Sequence, residues 1–250
     1  MRVDLSTGLL DVARQAPSPN HDDRPAGSVI DLIVIHGISL PPGEFGGSWI
    51  EALFANTLDP NAHPYFRTLA GLRVSTHLLI RRDGEIVQYV PFQRRAWHAG
   101  ESAYRNRHRC NDFSIGIELE GTDHLPYDER QYPILATLIT TLRAAYPTIA
   151  PERLAGHADI APGRKTDPGP AFDWTRLRRI LRKTSAAKRY RPDRGDSRPP
   201  ALPDRQVPPP VPTAAPRPPA MSPPVPPKPR STRPLAGSRS NGNPDRPTRP

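Results

Sequence analysis

The chain has 250 residues, room for one or two domains, but 35 are proline and the mean hydropathy is negative, so part of it cannot bury a core. Residues 1–181 carry 20 Lys and Arg against 21 Asp and Glu, whereas residues 182–250 carry 15 against 4, so the basic charge belongs to the C-terminal segment. That excludes a nucleic-acid face on the balanced part, and a single cysteine, Cys110, excludes an intrachain disulfide.

Residues Met1 to Gly27 lack the apolar core of a secretory signal, and no later run approaches about 18 apolar residues. No membrane span and a cytoplasmic location are therefore expected. Leu5 to Ala13 predicts a short helix, followed by an irregular link rich in Pro, Asn and Asp. Val29-Ile30 and Leu32 to Ile35 then make a nearly continuous β-branched run, the mark of a strand buried on both faces, and it ends at His36. A histidine at such an exit is either a packed core residue or a ligand facing a cleft.

Pro41, Pro42, Gly43, Gly46 and Gly47 rule out regular structure in the next loop, after which Ser48 and Glu51 fit a capping box for a helix through Ala55. Val74 to Ile80 and Glu85 to Val90 predict a β-hairpin turning through Asp83-Gly84, with His77 packed inside its first strand. Trp97 is either a core plug or an exposed stacking surface. Cys110, next to Arg109 and two residues after His108, matches no nucleophile signature and reads as an ordinary free thiol.

Phe113 to Glu120 alternates as a strand, with Phe113, Ile115, Ile117 and Leu119 on one face and Ser114, Gly116, Glu118 and Glu120 on the other. Glu118 is either a solvated strand residue or a site carboxylate, and Gly116 leaves room on its face. Tyr132, Leu135, Leu138, Ile139, Leu142 and Tyr146 recur at helical spacing until Pro147. The stretch GHADIAPGRKTDPG, residues 156–169, then sets His157, Lys165 and Asp167 among Pro and Gly residues, so a shaped loop must bring them together. Asp173 is the expected N-cap of a last helix carrying Trp174, Leu177, Ile180 and Leu181 on one face.

The fold class is mixed α/β (α+β): a central mixed sheet flanked by helices, in a domain over residues 1–183. Residues 184–250 hold proline runs with interspersed Arg and read as a disordered basic arm, either a spacer or a docking segment whose partner is open. Within the domain, His36, His157 and Asp167 would leave zinc an open fourth position, with Glu118 to accept a proton from water and Lys165 to stabilise an oxyanion. That is equipment for hydrolysing an amide.

The runs ISLPPGEFGG, LFANTLDPNAHPYF, LIRRDGEIVQYVPF, RAWHAG, RCNDFSIGIELEGTD and RKTDPGPAFDW make the chain from about Pro17 to Leu181 resemble the cytoplasmic 1,6-anhydro-N-acetylmuramyl-L-alanine amidases of the AmpD type, within the amidase and peptidoglycan-recognition superfamily. The resemblance implies a zinc enzyme of wall-fragment recycling that cuts between the lactyl group of the muramic acid and the L-alanine of an anhydromuramyl peptide. It implies His36, His157 and Asp167 as zinc ligands, Glu118 as general base or acid, Lys165 as oxyanion partner, and Arg73, Trp97 and Arg109 along the substrate groove. Guanidinium groups suit the carboxylates of a stem peptide, and an aromatic face suits its muramyl portion.

Gly37 departs from the pattern, since similar enzymes place a polar Asn there, and the arm departs too. An amidase of polymeric peptidoglycan, a non-catalytic peptidoglycan-binding protein and a scaffold working through the arm are the rival expectations. The second loses a metal ligand in typical members, whereas all three candidates are present here.

Overall fold

The computed structural model describes residues 1–189, and the arm expected over residues 184–250 lies outside that range apart from its first six residues. The central sheet has six strands: β1 (Arg14–Gln15), β2 (Leu32–Ile38), β3 (Leu78–Ile80), β4 (Ile86–Gln88), β5 (Ser114–Glu120) and β6 (Leu154–Gly156). Their order is β6-β2-β5-β3-β4-β1. The sheet is mixed: β3 and β4 form the antiparallel hairpin, and every other neighbouring pair is parallel. The hairpin turns as expected, with Gly84 at φ +96° and its N–H donating to the Arg81 carbonyl at 3.0 Å.

Among the described residues four α-helices accompany the sheet: α1 (Trp49–Phe54), α2 (Gln131–Ala145), α3 (His157–Ile160) and α4 (Trp174–Arg189). Ile33, Ile35, Ile115 and Ile117 point to one face, where they join Leu135, Leu138, Ile139 and Leu142 of α2 and Leu177 of α4 in the main core. On the other face Leu32 and Val34 pack with Ala99, Cys110 and Ile160, while Leu79 and Val87 pack with Ile50, Leu53 and Phe54 of α1. Between those two apolar clusters lies a buried polar seam of His36, Thr76, His77, His98, Ser114 and Glu118. Such groups are costly to bury unless each finds a partner, which marks the seam as the part of the sheet not built for packing alone.

Two local expectations are corrected. Leu5–Ala13 is not a helix: Val3–Asp4 pairs antiparallel with Leu9–Leu10. Asp4 Oδ1 accepts from the Ser6 N–H at 2.8 Å and Gly8 adopts φ +73°, so side-chain capture of the backbone and a left-handed residue replace helical bonds. The capping box at Ser48 does not form either, because Ser48 makes no side-chain capping bond and Glu51 pairs with Arg14 and Arg81 instead. Asp173 does cap α4, its Oδ1 accepting from the Arg176 N–H at 2.8 Å. Among the described residues no helix is long and apolar enough to cross a membrane.

Leu138 is fully buried between α2 and the sheet. Leu138→Ala is expected to lower stability by about 2–5 kcal/mol in urea unfolding, through lost transfer energy and the cavity left behind. A loss well under that range would show that this face is not the main core.

Candidate metal and catalytic site

Strand register does most of the assembly. In the parallel β2–β5 pair His36 is aligned with Glu118, and in the β6–β2 pair Gly156 is aligned with Ile35, so His157 emerges beside His36. Three adjacent strands thus deliver three site residues at their carboxyl ends, where open α/β sheets hold ligands. Asp167 arrives through backbone: one turn of α3 is followed by a reversal in which the Ala158 N–H donates to the Asp167 carbonyl at 2.9 Å.

The three candidate ligand atoms converge. His36 Nδ1 lies 3.0 Å from His157 Nδ1 and 3.2 Å from Asp167 Oδ2, and His157 Nδ1 lies 3.1 Å from that same oxygen. Hydrogen-bond partners assign the protons. His157 Nε2 faces the Ala99 carbonyl at 3.2 Å and must donate to it. Ser114 Oγ donates to the Cys110 carbonyl at 2.6 Å, so it accepts from His98 Nε2 at 3.1 Å, and His98 Nδ1 accepts from His36 Nε2 at 2.9 Å. Both Nδ1 atoms therefore turn a lone pair toward the Asp167 carboxylate. Burial pushes His36 down to about 4 against the pull of Asp167, and burial also holds His98 well below the ordinary histidine range.

Three acceptors crowded in this way call for a cation, and the donor set suits one. Tetrahedral zinc with N and O ligands at about 2.0–2.1 Å holds them about 3.3 Å apart, close to the spacing seen here. His36, His157 and Asp167 could hold such a metal with one position open to the cleft. Glu118 lies next to them, Oε1 at 4.0 Å from His36 Nδ1 and Oε2 buried with no hydrogen-bond partner. Burial first, and the Asp167 charge second, raise the Glu118 carboxyl well above its usual range, while Lys165 opposes them.

A cleft of about 570 Å³ opens above this group, lined among others by Ser39, Leu53, Tyr65, Thr122, Arg164 and Lys165. Among the described residues no carboxylate pairs with Lys165. Arg73, Trp97 and Arg109 are not brought into the cleft. Arg73 lines a separate depression with Phe66 and Leu69, although its neighbours Leu72 and Val74 line the cleft. Trp97 is half-buried with its backbone N–H on Ser75 Oγ at 2.9 Å, and Arg109 is 69 % exposed and sits 3.4 Å from Asp112.

Sequence reading misses His98 and Ser114, which stand behind His36, and Arg164, whose Nη2 donates to the Ala99 carbonyl that His157 also uses. The signal for Ser114 is its place on the Glu118 face. The room expected at Gly116 is not open: a Cβ there would come within 2.5 Å of His98 Cγ, so the glycine admits an imidazole. Cys110 is buried and burial raises its thiol, in keeping with an inert side chain. At Gly37 the place of a side chain is taken by Tyr127, whose Oη would lie 2.1 Å from a Cβ and donates to the Pro168 carbonyl at 2.9 Å.

Gly37→Ala is expected to cost about 1–3 kcal/mol in unfolding free energy, because Tyr127 must move and release the Pro168 carbonyl next to Asp167. In a Tyr127→Phe background the same change should cost less, a coupling on the order of 1 kcal/mol. Additive effects would show that the two side chains do not contend for this space.

A model of the N-acetylmuramoyl-L-alanine amidase family matches residues 26–170, a span that includes every residue of the converging group. The chain is 61 % identical over 181 residues to the 1,6-anhydro-N-acetylmuramyl-L-alanine amidase AmpD of Citrobacter freundii, covering 72 % of this chain and 96 % of that protein. It is 62 % identical over 179 residues to the AmpD of Escherichia coli K12, covering 72 % and 97 %. Among solved structures, the crystal structure of a selenomethionine AmpD derivative is similar with a TM-score of 0.70 at 61 % identity, covering 72 % of this chain and 99 % of that one. The solution structure of Citrobacter freundii AmpD gives 0.55 at 60 % identity, covering 74 % and 97 %.

Proposed function

The chain belongs to the N-acetylmuramoyl-L-alanine amidase family, and on that premise we propose that it is a zinc-dependent amidase of anhydromuramyl peptides. The bond cut joins the lactyl carbonyl of (1,6-anhydro-)N-acetylmuramic acid to the nitrogen of L-alanine. The setting is recycling of wall fragments in the cytoplasm. The amidase domain takes residues 1–183 in this reading, α4 carrying the chain on to Arg189, and the basic arm makes up the rest to residue 250. One observation carries the reading: three lone-pair atoms converge at 3.0–3.2 Å beside a buried, unpartnered carboxylate oxygen at the base of a cleft.

His36, His157 and Asp167 hold the metal in this proposal, and zinc when bound supplies Lewis acidity toward the scissile carbonyl and lowers the pKa of a water to about 7. The residues of the chain do the rest. Glu118 is raised by its dry surroundings, so its ionised form is a strong base, and a cation between the three ligands favours that ionised form. Its carboxylate accepts a proton as the water oxygen bonds to the carbonyl carbon. It then returns a proton to the alanine nitrogen as the C–N bond breaks, leaving a muramyl carboxylate and a free peptide amine. Lys165, at the cleft wall and without a carboxylate partner among the described residues, stabilises the negative charge growing on the carbonyl oxygen. Arg73 and Trp97, each next in sequence to residues that line the cleft, and Arg109, exposed beside Asp112, serve the outer parts of the substrate in this proposal.

Chelation is expected to abolish cleavage of anhydromuramyl peptide by the full chain, and one equivalent of zinc to restore it. Glu118→Gln should lower kcat by roughly 10²–10⁴-fold while leaving bound zinc unchanged. Full activity after chelation contradicts the zinc assignment, and preferential cleavage of intact peptidoglycan contradicts the substrate assignment.

A further inference from the structure

We propose that His98 is a positioning residue that fixes the tautomer and ring orientation of His36, so that His36 Nδ1 keeps its lone pair for a metal shared with His157 and Asp167. The proposal rests on the reading of those three residues as a zinc site and adds what prepares that site before the metal arrives.

The three candidate ligands compete with an alternative. A neutral His36 with its proton on Nδ1 would donate to Asp167 Oδ2, only 3.2 Å away, and could not ligate through that nitrogen. What opposes this alternative is an acceptor for the other nitrogen. His98 Nδ1 is that acceptor, 2.9 Å from His36 Nε2, with the rings edge to face at 89°. His98 is itself oriented by Ser114 Oγ at 3.1 Å, and Ser114 by the Cys110 carbonyl at 2.6 Å. A carbonyl has no proton to give, so the far end of the chain sets the direction of every hydrogen bond up to His36.

The second histidine is served by the next residue, since the Ala99 carbonyl accepts from His157 Nε2 at 3.2 Å. Residues 98 and 99 therefore orient both imidazoles. Their own backbone N–H groups converge on one oxygen, Asn111 Oδ1, at 3.1 and 2.8 Å, which holds the two-residue stretch in place. Gly116 completes the arrangement by leaving the volume that the His98 ring fills. Groups behind a metal ligand commonly fix its tautomer in this way, and their loss costs about 10–100-fold in metal affinity.

The test uses the full chain. Long-range ¹H–¹⁵N correlation of the metal-free, ¹⁵N-histidine-labelled protein reads the tautomer of His36, and competition with a chromophoric chelator reads zinc affinity. The wild type is expected to carry the His36 proton on Nε2. His98→Leu should weaken zinc binding by about 10–100-fold, and His98→Asn, whose amide oxygen can replace Nδ1 as acceptor, should recover most of that loss. Ser114→Ala, a small change, should admit the second His36 tautomer and weaken zinc in the same direction, which keeps the test decisive if His98→Leu does not fold. A His36 proton on Nδ1 in the wild type, or wild-type zinc affinity in both His98→Leu and Ser114→Ala, overturns the proposal. If the wild type binds no zinc, the zinc reading fails by itself, and the His36 tautomer in wild type against Ser114→Ala still decides the role of His98.

Discussion

The parallel register of β2 against β5, which sets His36 alongside Glu118, is the constraint on which the site depends. Side chains alternate with period two along a strand, so a slip of one residue would turn Glu118 into the α2 core and bring Ile117 or Leu119 beside His36. Ile33, Ile35, Ile115, Ile117 and Leu119 oppose that slip, because each is buried in the core shared with α2. The apolar face thus fixes the polar one, and the same packing that gives stability aligns Glu118 with His36.

The polar face is affordable only because its members satisfy one another. Arg24 shows the pattern at the edge of the seam, donating to the carbonyls of Phe92, Asn111, Asp112 and Ser114. His77 accepts the Gly116 N–H on Nδ1 at 3.0 Å, as the expectation of a packed, hydrogen-bonded histidine requires. Against this background two exceptions stand out, the crowded Nδ1 atoms of His36 and His157 and the unpartnered Oε2 of Glu118. Within the seam these two lie side by side at the cleft, where a cation and a substrate could satisfy them.

Much of the fold is legible in the sequence because strong periodicity determines it. The buried run ending at His36, the Asp83-Gly84 hairpin, the alternating strand through Glu118 and the heptad-like faces of α2 and α4 all follow from local pattern. Leu5–Ala13 is misread because a side-chain-captured turn at Asp4 and left-handed Gly8 outweigh helical spacing. Of the site, His36, Glu118, His157, Lys165 and Asp167 are visible as residue types on the right faces and loops, but their meeting is a matter of strand order, which no local pattern encodes. His98 is hidden for a further reason: its role comes from the empty place at Gly116, and a glycine says only that space exists, not what fills it. The placement of Arg73, Trp97 and Arg109 outside the cleft is likewise a property of the loops that carry them.

Zinc K-edge absorption spectroscopy on the full chain loaded with one equivalent of metal is the most direct measurement of the central claim. The account predicts a first shell of two imidazole nitrogens completed by oxygen at about 2.0–2.1 Å, with no sulfur. A shell without imidazole scattering, or one containing a thiolate from Cys110, would contradict it.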